Sequence, residues 1–225
     1  MGMYICAMNI SHVLAIIKKD IDIELRQKYA IGGTFLFAIT SAYIIYKSFG
    51  ELKAMEWNIL VWIIVLYAGL NAIVKSFIQE KKETYLYYYS LFGPLEVIIA
   101  KLIYNYLFTI FLSFTVIGVF SVLLGNPIED VGLFMKALFL GALGISSVFT
   151  FVSSVSGSGS SSSIMMSILS LPLVLPSVLI MERTTAVAMR LINDSEIYED
   201  LMILGGIDLL LIGMIVLIFP GLWKE

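Results

Sequence analysis

The chain has 225 residues, 60% of them hydrophobic and 14% charged, with a net charge of −3. A water-soluble domain needs about 25% charged residues to wet its surface, so most of this surface faces something other than water. The charge balance provides no basic field for nucleic acid, and the single cysteine, Cys6, excludes an internal disulfide framework.

The start, Met1 to Ile17, has no positive n-region, because Lys18 and Lys19 follow the apolar stretch, and no cleavable signal is expected. Val13, Ile17, Ile21 and Leu25 recur every four residues, with Lys18, Lys19, Asp22 and Arg26 gathered opposite. Asp22–Arg26 and Glu24–Lys28 are spaced for helical ion pairs. The pattern predicts an amphipathic interfacial helix over residues 1–28, lying among lipid headgroups. A soluble-facing helix that docks a partner is the alternative.

A membrane-spanning helix needs about 20 apolar residues without a charge stranded at mid-depth. Uncharged runs predict spans at 29–46, 57–74 and 102–124, the third leaving at Asn126-Pro127. The run from Ala137 to Met181 is long enough for two more. Its middle, SSVSGSGSSSS from Ser153 to Ser163, breaks helices, which predicts spans at 137–153 and 164–181. Pro172 and Pro176 should kink or loosen the fifth span. The sixth span covers 201–222 and holds Asp208 after Gly205-Gly206. An acid inside a span is a functional candidate by default. A structural role is the alternative, with a polar neighbour or snorkelling satisfying the carboxylate. Ala68-x-x-x-Ala72 and Ala137-x-x-x-Gly141 permit close helix contacts.

The connection from Lys75 to Lys101 is charged, then aromatic, then broken at Gly93-Pro94. Gln79 to Ser90 contains no helix breaker and predicts a short helix. Tyrosines near a membrane commonly form an interfacial belt. Here Tyr85, Leu86, Tyr88 and Tyr89 adjoin Glu80 and Glu83, and an aromatic ridge with charged flanks also suits a groove on a partner protein.

Several chemistries are missing. No GxxxxGK[ST] loop is present to bind nucleotide, and no HExxH or Cys/His set to hold zinc. A serine nucleophile at Ser158 would need a base, and the only histidine is His12. A paired-carboxylate protease needs two acids at depth, and only Asp208 qualifies. An enzyme is not expected.

The order and spacing of many short segments resemble the CcmB family, the membrane subunit of the cytochrome c maturation ABC complex. The resemblance runs through Asp20-Ile21-Asp22-Ile23-Glu24-Leu25-Arg26, Phe77-x-x-Glu80 with Leu86, Ala100-Lys101, Tyr104-Asn105 and Leu124-Gly125-Asn126-Pro127. It continues through Ile168 to Pro176, then Asp208 and Phe219-Pro220. The family carries glycine where Thr84 stands and Ser-Pro where Phe92-Gly93 stands.

The resemblance implies an all-α, polytopic protein with the six-helix permease fold of ABC type-2 exporters. It implies a bacterial inner-membrane location and a separate ATPase subunit, CcmA, on the cytoplasmic face. It further implies CcmC, CcmD and CcmE partners, ATP hydrolysis releasing haem-loaded CcmE, and neither ATP nor haem bound by this chain. Glu80, Glu83, Tyr85, Leu86, Tyr88 and Tyr89 would form the ATPase-coupling helix. With His12 alone at one edge, the chain lacks paired histidines for haem iron. Other readings are an ABC permease for a lipid or glycan, an ion-driven transporter using Asp208, and a structural scaffold.

Six spans place both termini on one side, and Lys and Arg decide which. That side carries nine: Lys18, Lys19, Arg26, Lys28, Lys75, Lys81, Lys82, Lys101 and Lys224. The other carries five: Lys47, Lys53, Lys136, Arg183 and Arg190. Both termini are therefore expected in the cytoplasm. With Cys6 replaced by Ser, a cysteine at residue 225 (Glu225→Cys) should react with a membrane-impermeant maleimide only after permeabilisation. Reaction on intact spheroplasts would sink the six-span arrangement.

Overall fold

The computed structural model describes residues 9–26, 28–78, 91–155, 162–192 and 197–222. Side chains are described at all of these except 24–26, 28–31, 74–78, 162–167 and 222. The described chain is all helical: α1 (Ile10–Arg26), α2 (Lys28–Phe49), α3 (Ala54–Ile78), α4 (Pro94–Leu124), α5 (Val131–Val155), α6 (Ser162–Ala188) and α7 (Ile197–Leu222). Among the described residues five helices are long and apolar enough to cross a membrane, at Ala54–Ile73, Pro94–Leu124, Val131–Val155, Ile168–Ala188 and Ile197–Gly221. The described part of α2, the expected first span, is not among them; α2 is 22 residues long and carries Thr34, Thr40 and Ser41.

Local chemistry sets the helix ends. Pro94 occupies the first turn of α4, where its missing N–H costs nothing, and the Glu96 carboxylate accepts a bond from the Gly93 N–H at 3.1 Å. Gly125, at φ 85, stops α4, and the Asn126 side chain accepts from the Ile128 N–H at 3.1 Å to turn the chain. Asp130 caps α5 by accepting from Leu133 N–H at 3.0 Å. Its own N–H donates to the Ala188 carbonyl at 2.8 Å, satisfying an orphan acceptor at the end of α6. Arg190 closes α6 in the left-handed region, φ 54, with Leu191 N–H reaching back to the Ala186 carbonyl at 3.0 Å.

Helix α5 is the centre, packed against α3, α4, α6 and α7. Phe134, Leu138, Ile145, Val148 and Phe149 are almost fully buried. Two aromatic contacts fix α3 beside its neighbours. Trp57 meets Phe120 of α4 edge-on at 5.9 Å, and Trp62 stacks on Phe134 of α5 at 6.2 Å. Glycine brings the other faces together. A Cβ at Gly141 would collide with the Met181 side chain of α6, and one at Gly144 would sit 2.8 Å from Asp208 Oδ1 of α7. Gly141 is therefore a close-contact position, as Ala137-x-x-x-Gly141 led us to expect.

Large apolar side chains stand outward on the other faces, including Leu36 and Ile44 of α2, Phe111 and Val122 of α4, Leu179 of α6 and Leu209 and Leu217 of α7. Water would not tolerate so wide an apolar surface, whereas lipid tails do.

The Gly141 contact generates a packing prediction. Gly141→Ala should cost about 1–3 kcal/mol, because the neighbouring helix must move to admit a methyl group. Adding Met181→Ala should recover part of that loss, so the two changes should be non-additive. Thermal unfolding of the detergent-purified variants checks this; an additive pair would mean the two helices do not meet there.

Candidate functional site

The expected coupling residues Glu80, Glu83, Tyr85, Leu86, Tyr88 and Tyr89 lie outside the described residues. The structure does place the exit of that connection. Phe92 sets its ring edge against His12 of α1, with centroids 5.4 Å apart. Glu96 then gathers both chains: its carboxylate accepts from Asn9 N–H at 3.0 Å and Gly93 N–H at 3.1 Å, and lies 3.1 Å from His12 Nδ1. One carboxylate thus joins the start of α1 to the start of α4. Glu96 lies six residues past Ser90, where the segment expected to meet an ATPase ends.

Further along the same seam, Asp20 is buried between Lys19, at 2.7 Å, and Lys101 of α4, at 3.7 Å from Oδ2. Lys101 is 4% exposed and Asp20 7%. At this separation the Lys101 contact is charge attraction rather than a short hydrogen bond. Apolar contacts frame it, with Val13 and Ile16 of α1 packed on Val97 and Ala100 of α4.

This corrects the expected stripe on α1. The inward face carries Val13, Ile16 and Asp20, with Ile17 half-buried, while Ile21 is 40% exposed. A four-residue repeat drifts by about 40° per step around a helix of 3.6 residues per turn. The helix therefore turns the 13–16–20 series toward α4. Lys101 entered the charge count and the family resemblance, and Asp20 the resemblance, without either being paired with the other. The signal was available in Lys101 itself, which sits between the apolar runs Val97–Ala100 and Leu102–Ile103. The side chains of Glu24, Leu25, Arg26 and Lys28 lie outside the described residues.

The membrane-depth region holds a second polar set. Asn105 of α4 donates to Thr150 of α5 at 2.9 Å. Thr109 and Ser113, on the same face, return their hydroxyls to carbonyls one turn back, at 2.8 Å each. At the opposite end from the α1 seam, Asn58 and Trp62 of α3 meet Thr185 of α6. Trp62 Nε1 donates to Thr185 Oγ1 at 3.0 Å, Thr185 donates to Asn58 Oδ1 at 2.8 Å, and Asn58 Nδ2 donates to the Glu182 carbonyl at 2.9 Å. Sequence reading singled out neither Thr150 nor Thr185; a lone hydroxyl in an apolar helix carries no mark of its partner.

Asp208 is 1% exposed, on the face of α7 that meets α5 and α6. Its two carboxylate oxygens have no hydrogen-bond partner among the described residues. Burial excludes snorkelling, and among the described residues no hydrogen bond reaches the carboxylate. Pro172 and Pro176 are both exposed, and α6 continues as helix through them. Among the described residues no group of three His, Cys, Asp or Glu side chains could hold a metal ion.

Removing one partner of a buried ion pair leaves a charge without compensation, at about 3–5 kcal/mol. Lys101→Ala should therefore detach α1 from α4 and expose the N-terminal segment to limited proteolysis. Asp20→Asn with Lys101→Met should be milder, because no net charge remains buried. Equal protease resistance of Lys101→Ala and the parent protein would remove the pair from any role in holding α1.

Comparison with curated proteins and with solved structures gave no match. A scan of family models matched one described as CcmB protein, over residues 11–220. That match spans nearly the whole of all seven helices, from the α1 seam to the end of α7, and the chain belongs to the CcmB family, whose members are ABC permeases of cytochrome c biogenesis and haem transport.

Proposed function

We propose that this chain is the membrane permease subunit through which a separate ATPase drives haem handling in cytochrome c maturation. The observation that carries the proposal is the family match over residues 11–220. In this reading α2 is the first of six spans in a type-2 exporter arrangement, α1 lies at the cytoplasmic surface, and both termini are cytoplasmic. The location is the bacterial inner membrane. ATP belongs to a CcmA-like subunit, since the chain carries no nucleotide loop. Haem belongs to CcmC-, CcmD- and CcmE-like partners, since a single histidine cannot supply two axial imidazoles.

ATP energy must then arrive through a contact. Residues 79–90 form the coupling segment in this proposal, with Tyr85, Leu86, Tyr88 and Tyr89 as anchors. Glu80 and Glu83 pair with basic residues at the rim of the ATPase groove, which sets register more than affinity. Two features support the assignment. The segment is the longest soluble connection on its side. Its exit is fastened to α1 through Phe92 and Glu96, so a push on the segment reaches α1 and α4 together.

Tyr88→Ala combined with Tyr89→Ala should weaken ATPase association by about 2 kcal/mol or more if both rings are central anchors. The membrane subunit itself should stay folded and inserted. Pull-down of the ATPase from membranes, with haem followed by absorbance in the co-purified complex, is the measurement. Undiminished ATPase recovery and ATP hydrolysis would return the tyrosines to the interfacial belt. Normal c-type cytochrome levels in cells lacking the chain would overturn the functional reading as a whole.

A further inference from the structure

Helices α5, α6 and α7 bring together buried polar side chains that the permease reading leaves unused. Asp208 of α7 is 1% exposed, and neither carboxylate oxygen has a hydrogen-bond partner among the described residues. Ser177 of α6 is fully buried, and its hydroxyl is likewise unpartnered. Both point at the same spot on α5, where a Cβ on Gly144 would lie 2.8 Å from Asp208 Oδ1 and 3.1 Å from Ser177 Oγ. Ser147, one turn along the same face of α5, is also fully buried with an unpartnered hydroxyl. Glycine at 144 is what leaves room for these oxygens.

A carboxylate in apolar surroundings without a donor or counter-charge is strongly unfavourable. Among the described residues no hydrogen bond answers it. Tyr106 of α4 is within electrostatic reach and carries no positive charge. Lys136 of α5, Glu182 and Arg183 of α6, and Glu199 and Asp200 of α7 all stand toward the opposite end from the α1 seam. Arg183 is moreover engaged with Asp200 at 3.3 Å. The balancing charge must be a single one, because a divalent ion on one carboxylate would leave a buried positive charge.

We propose that Asp208, Ser177 and Ser147 around Gly144 form an intramembrane binding site for one monovalent cation, a proton or a sodium ion. A proton binds a carboxylate oxygen directly and leaves an O–H to donate to a serine hydroxyl. A sodium ion takes the carboxylate and hydroxyl oxygens as hard ligands. The site needs α5, α6 and α7 in contact, so its occupancy is linked to their packing. The inference stands independently of the functional assignment.

Two measurements on the full-length purified protein test it, one for each occupant. In sodium-free buffer at neutral pH, infrared spectra should show the carbonyl stretch of a protonated acid, absent in Asp208→Asn. Alternatively, sodium chloride should raise the thermal midpoint where choline chloride does not, and Asp208→Asn should abolish that rise. The first result assigns a proton and the second sodium. Absence of both the acid band and the sodium-specific rise overturns the site. Should Asp208→Asn fail to fold, Ser177→Ala keeps the acid. It should shift the acid band or weaken the apparent sodium affinity by about tenfold, and a variant unchanged in both respects would equally overturn the site.

Discussion

Hydrocarbon offers no hydrogen bonds, and this constraint governs nearly every feature of the chain. A polar group left unpaired there costs several kcal/mol, more than most single contacts contribute. The backbone answers by forming helices over most of the described residues. The side chains answer in three ways. Hydroxyls of Thr109, Ser113 and Thr184 bond to carbonyls one turn back. Asn105 and Thr150, or Asn58, Trp62 and Thr185, pair across helices. Asp208 does neither, and among the described residues it is the one acid buried in the middle of the bundle.

Lipid and hydrocarbon side chains are equally apolar, so hydrophobicity alone does not draw these helices together. Close shape does. Gly141 and Gly144 let α6 and α7 approach α5, while Trp57 and Trp62 fill the broader gap on the α3 side. The same face of α5 therefore receives both an apolar and a charged side chain. Gly141 admits Met181, and one turn on Gly144 admits the Asp208 carboxylate.

The two ends of the bundle are fastened differently. At the α1 seam, Glu96 binds two chain segments at once and Asp20 reaches Lys101. At the other end, backbone and side-chain bonds tie α3, α5 and α6, with ion pairs Arg190–Glu129 at 2.9 Å and Arg183–Asp200 at 3.3 Å. Both arginines are substantially exposed, so these pairs contribute little to stability. The α1 seam joins buried charges to the mouth of the 75–101 connection. Its contacts tie the start of α4 to α1.

By itself the sequence determined the membrane class, the helical content and the breaks on either side of α4. Apolar run length, Gly125-Asn126-Pro127 and the Gly93-Pro94 break are local properties, legible without knowing what lies alongside. The family resemblance was legible too, because the order of short segments survives in one dimension. Which face of α1 turns inward was not, since the inward series of Val13, Ile16 and Asp20 depends on Lys101, eighty-one residues away from Asp20. Thr150 opposite Asn105, and Ser177 beside Asp208, were equally hidden. Each becomes a partner only when two helices are brought to one register, and that register is set by the packing of glycine against large side chains. Residue identity fixes what a group needs; the fold alone decides what stands opposite it.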